Sequence, residues 1–212
     1  MTDVWASLRD ARLALVKTAR QLEPAQWDAR SWCDGWRVRD VLGHLVHLAE
    51  ATQASMARDV LTHGLVPERA LSQVATGLGT LHPNELLSRL EAAAGGRFHV
   101  IGSPAVVTVG EAITHGADML RPLGVVLETD PAIVASVLPV YVRVRRLVFH
   151  GSSLGSVRLV ATDADWAFGS GAEVTGRAVD LLLVLANRRQ AVGDLSGPGL
   201  PALTLALPTP ER

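Results

Sequence analysis

Val4, Leu8, Ala11, Leu15, Ala19 and Leu22 recur at spacings of three and four, a stripe that predicts a helix over residues 3 to about 22. Glu23-Pro24 stops it. Trp27 to Trp36 carries three tryptophans around Asp34-Gly35 and reads as a structured loop. From Arg37 to about Leu61, Val38, Val41, Leu42, Leu45, Leu48 and Ala49 share one face, predicting a single long second helix. His63 to Pro83 is punctuated by Gly64, Pro67, Gly77 and Gly79 and reads as loop with one short helix at most. Asn84 is placed to cap a helix over Glu85–Ala94, ended by Gly95-Gly96. A further helix is expected over Thr108–Leu120, and another opens at Asp130-Pro131 and runs to about Phe149 with a kink at Pro139. These lengths suit an antiparallel helical bundle over residues 1–150.

At Gly151 to Gly155 the period changes. Ser156 to Thr162 alternates polar and apolar, Asp163-Ala-Asp165 turns, and Trp166 to Phe168 alternates again, which predicts a hairpin. An apolar helix follows over Arg177–Gln190, and Ala202 to Leu207 reads as a final strand. The expected class is therefore α+β: a helical bundle, then a small α/β domain over 151–212 with its boundary at the glycines.

The 212 residues are 48% hydrophobic, balance 20 Lys+Arg against 21 Asp+Glu and have a mean hydropathy of +0.23. That excludes a disordered chain and leaves no basic field for nucleic acid. No stretch approaches the 18 or so apolar residues of a membrane span, and the N-terminus shows no basic-then-apolar signal region. Cys33 is the single cysteine. With no disulfide or cysteine cluster possible within one chain, a reducing cytoplasm fits, and a metal would need His and carboxylate ligands. Lys17 is the only lysine, a bias read as that of a GC-rich bacterial genome.

Seven histidines are present, and most need no chemical role. Glu111 and His115 are four apart on a predicted helix, so their side chains leave one face a turn apart and can share a cation. His44 lies on the inward stripe of the second helix, beside Gly43, where a facing helix can approach closely. His44, Glu111 and His115 would together give two imidazoles and one carboxylate inside the bundle, with a position left open. His47, about 300° round the helix from His44, is the competing ligand.

The segment Ser31-Trp32-Cys33-Asp34-Gly35-Trp36-Arg37-Val38-Arg39-Asp40-Val41-Leu42-Gly43-His44-Leu45 resembles the C-x-G-W-x-V-R-D-V-L-x-H-L signature of the mycothiol-dependent maleylpyruvate isomerase family, a branch of the DinB-like bundles. Glu111 to Gly124 is similar to its second block, a ligand helix followed by H-G-x-D-x-x-R-P-L-G. Val157 to Arg188 resembles the small C-terminal domain, with Asn187 where glycine is usual in a G-R pair. Residues 64–102 match no strong block of the pattern. The resemblance implies a DinB-like four-helix bundle holding one divalent metal, usually zinc, on His44, Glu111 and His115. It also implies mycothiol as thiol cofactor, an actinobacterial host, and Arg188 as a residue that holds an anionic substrate. Asp118 and Arg121 are candidates to orient ligands or to anchor a carboxylate. Cys33, in the loop rather than on a metal face, reads as a packed small hydrophobe.

A cation with one carboxylate ligand keeps positive charge and holds a coordinated thiol as thiolate. The expected activity is isomerisation, by addition to an activated cis double bond, rotation and departure, or S-transfer on a small anionic electrophile. The alternatives are a non-catalytic metal-binding or ligand-sensing bundle and a metal-dependent hydrolase.

Overall fold

The computed structural model describes residues 3–148, 154 and 156–207; Gly151, Gly155 and His150 lie outside them. Helix α1 (Val4–Ala19) starts where the Asp3 carboxylate accepts the Trp5 N–H. A 3₁₀ turn, Pro24–Asp28, leads through the tryptophan loop into α2 (Val38–Glu50). Next come α3 (Gln53–Thr62), α4 (Pro67–Leu78), α5 (Pro83–Ala92) and α6 (Val106–Leu120).

Helices α1, α2, α5 and α6 form the four-helix bundle, with α5 and α6 each packed against both α1 and α2. Leu15, Val16, Val41, Leu42, Leu45, Leu86, Leu90, Met119 and Leu120 fill its core, each large aliphatic side chain contributing about 1.5–3 kcal/mol by burial. Helix α4 lies on α2. Gly43 permits that approach, because a Cβ there would meet the Ala75 carbonyl oxygen at 2.6 Å.

Two expectations for this region are corrected. The long second helix is interrupted: Ala51 is extended, and Thr52 opens a new helix by accepting the Ser55 N–H while Ser55 Oγ accepts the Thr52 N–H. In the stretch read as loop with one short helix, that helix is the twelve-residue α4, since Pro67 serves a first turn and Gly77 and Gly79 fall at the helix end. The cap of α5 is His82, whose Nδ1 accepts the Asn84 N–H at 3.2 Å.

The described residues divide into two compact units, the first ending at Glu128 and the second beginning at Thr129. The second holds α7 (Pro131–Val148), β1 (Val157–Ala161), β2 (Ala167–Gly169), β3 (Ala172–Gly176), α8 (Ala178–Leu185) and α9 (Leu200–Ala206). Helix α7 packs on α8. The division thus falls before α7, not near residue 150, because helical periodicity does not reveal which core a helix serves.

The sheet order is β2-β1-β3, with β1 antiparallel to β2 and parallel to β3. The predicted hairpin is present; β3 is an addition to it. Ser170 and Gly171 carry the chain over the end of β1, and Cβ atoms at Gly169 and Gly171 would collide with the carbonyls of Val157 and Ser156. The expected final strand is instead α9, a short apolar run that periodicity alone does not assign. Among the described residues no helix is long and apolar enough to cross a membrane.

Candidate metal centre

The tryptophan loop is tied down on three sides. The Val38 N–H donates to the Ala29 carbonyl, the Ser31 N–H to the Trp36 carbonyl, and the Trp32 N–H to the Asp118 carbonyl of α6 at 2.9 Å. Buried Asp40 accepts the Arg37 backbone N–H at 2.9 Å and the Arg37 guanidinium at 2.9 Å, so this motif acid starts α2. Trp36 donates from Nε1 to Ser72 Oγ at 3.2 Å and sets its ring 5.2 Å from that of His44.

His44 and His115 meet between α2 and α6 with ring centroids 4.8 Å apart, edge to face. His44 Nδ1 is buried without a hydrogen-bond partner among the described residues. Burial, with His115 and His47 nearby, pushes the His44 imidazole well below its ordinary pKa, so it is neutral at neutral pH. Burial pushes the Glu111 carboxyl up, opposed by His115 close by. His115 Nδ1 faces Asp118 Oδ2 at 3.1 Å, and Asp118 is wholly buried. Two imidazoles and, one turn before His115 on α6, the Glu111 carboxyl are of the ligand types that a divalent cation takes.

His47, the competing ligand, sets its Nε2 3.5 Å from Asp59 Oδ2 of α3. Arg121 caps the end of α6. Arg188 lies in the second unit at the end of α8, where Nη1 donates to the Ala186 carbonyl at 2.9 Å.

Cys33 is the residue the sequence reading underestimated. Although it packs beside the bundle core, its Sγ lies 3.2 Å from Asp118 Oδ2 and 3.6 Å from His115 Nδ1, and the three side chains are spaced closely enough to bind a metal. Cys33 and Asp118 approach the same nitrogen of His115. A nucleophile, base and orienting carboxylate use opposite ring nitrogens, so this trio is not a catalytic triad.

A four-helix bundle with a histidine–carboxylate cluster between α2 and α6, followed by a small α/β unit, defines a DinB-like helical protein. Residues 8–98 match the "Mycothiol maleylpyruvate isomerase N-terminal domain". That match runs through most of the segment in which no motif was seen, and it includes Cys33 and His44 but ends before Glu111 and His115. The crystal structure of a mycothiol-dependent maleylpyruvate isomerase is similar in fold, with a TM-score of 0.60 at 15% identity, covering 92% of this chain and 91% of that one. A histidine-to-alanine mutant of such an isomerase gives a TM-score of 0.59 at 15% identity with the same coverage. No curated protein matches this sequence.

Proposed function

We propose that the chain is a metal-dependent enzyme that uses mycothiol for isomerisation or S-transfer on a small anionic electrophile. The observation that carries this reading is the contact of the His44 and His115 rings at 4.8 Å, with Glu111 one turn before His115. His44, Glu111 and His115 would hold the cation, zinc by the preference of such a donor set. A cation bound there supplies positive charge that favours the thiolate form of a neighbouring thiol. Glu111 contributes the only anionic ligand, so positive charge is left over. Asp118 accepts the His115 Nδ1–H and thereby fixes the tautomer that keeps a lone pair on Nε2. Trp36 covers one side of His44 and excludes water there. Cys33 is not the nucleophile in this reading, because its thiol faces Asp118; the thiol comes from the cofactor. Arg188 is assigned to the substrate anion, on the strength of its position in the G-R pair.

The test is turnover by the zinc-loaded protein of electrophiles including maleylpyruvate, with and without mycothiol. The expected result is cis-to-trans conversion or thioether formation only when the thiol is present. Turnover that is equal without it would favour the hydrolase reading, and none under either condition would contradict the proposal.

A further inference from the structure

The Cys33 thiol sits where the proposed function gives it no task. It is partly exposed, yet it reaches across 82 residues of sequence to His115 and 85 to the buried carboxylate of Asp118. Asp118 Oδ2 thus receives two groups, the Cys33 thiol at 3.2 Å and the His115 imidazole at 3.1 Å. A carboxylate that accepts from both is held in one rotamer, and its oxygen is aimed at the imidazole nitrogen. We infer that Cys33 is a positioning residue for the metal ligand His115, acting through Asp118. This rests on the reading that His44, Glu111 and His115 hold a divalent cation. Partners of this kind behind a ligating histidine typically change metal affinity by about 10- to 100-fold when removed.

The same distances allow a rival role. Zinc bound to sulfur at about 2.3 Å and to nitrogen or oxygen at about 2.0–2.2 Å sets neighbouring ligand atoms roughly 3.3–3.6 Å apart, close to the spacing of Cys33, His115 and Asp118. A cation held there by Nδ1 would leave the Glu111 carboxyl and the buried His44 imidazole without a counterpart. The positioning role answers both, because it keeps Nδ1 for Asp118 and the other nitrogen for the cation.

The experiment is zinc affinity of the metal-free full chain by competition with a chromophoric chelator, for wild type, Cys33→Ala and Cys33→Ser, together with the absorption spectra of the cobalt(II) forms. The expected result is affinity about tenfold weaker in Cys33→Ala and restored by Cys33→Ser, whose hydroxyl also donates to Asp118. No sulfur-to-cobalt charge-transfer band should appear in wild type. Wild-type affinity in Cys33→Ala, or equal weakening in both variants, would overturn the inference while leaving the metal reading intact. So would a sulfur-to-cobalt band lost in Cys33→Ser, which would make Cys33 itself a ligand. Absence of zinc binding in wild type would reject the metal reading and the inference with it.

Discussion

Asn187 adopts the left-handed region with φ 63°. Its N–H bonds the Val184 carbonyl at 3.0 Å and that of Arg188 bonds Leu183 at 2.8 Å, the paired bonds of a Schellman ending to α8. Glycine, the usual residue of the G-R pair, meets the same requirement, and asparagine is the next best choice. Asn187→Ala is expected to lower stability by about 1–2 kcal/mol, read as a lower urea midpoint with unchanged slope, whereas Asn187→Gly should match wild type. An Ala variant as stable as wild type would show that the torsion is relieved elsewhere. That Glu111 and His115 stand one turn apart on the same helix was legible in the sequence, because four residues is about one helical turn. Cys33 was not, because its contacts lie 82 and 85 residues away and no local pattern encodes which loop residue reaches α6.

Helix α5 is tied to both of its neighbours. Arg12 of α1 is buried and donates from Nη1 to the carbonyls of Ala94 at 3.1 Å and Gly96 at 2.8 Å, satisfying acceptors at the α5 terminus. Burial lowers its guanidinium to about 10, so it stays charged at neutral pH. Arg12→Met leaves these carbonyls unpaired and is expected to cost about 2–3 kcal/mol, a thermal midpoint lower by roughly 4–12 °C; an unchanged midpoint would deny Arg12 this capping role. Arg89 of α5 pairs with Glu50 of α2 at 2.6 Å. The hydrogen bond from Arg89 holds the Glu50 carboxyl below its ordinary pKa. Its contribution is therefore fully present above the unfolded value of about 4.3 and is lost as pH falls through the lower folded one. Both side chains are about one-third exposed, which limits the pair to under about 1 kcal/mol. Arg89→Gln should accordingly lose less stability than wild type between pH 6 and pH 3, and equal losses would show that the pair does not couple to folding. Most helices were legible from their stripes, but the α2–α3 break was hidden because residues 37–61 contain no proline and no glycine other than Gly43. The extent of α4 was hidden for the converse reason: its terminal glycines and first-turn proline looked like loop.

For the whole molecule, the period change near residue 151 announced an α/β unit but not its extent. Helix α7 carries a helical pattern and belongs with the sheet, because its partner α8 follows the strands in sequence. All three proposed ligands lie in the first unit, two on α6 and one on α2, so the bundle's own apolar contacts should form whether or not metal is present. That separates loss of metal from loss of fold. Zinc content by elemental analysis of purified wild type and His115→Ala, alongside far-ultraviolet circular dichroism, is the most direct test of the metal centre. The expected result is about one zinc per chain in wild type and essentially none in the variant, with the helical signal unchanged. Equal zinc in the two proteins, or none in either, would contradict it.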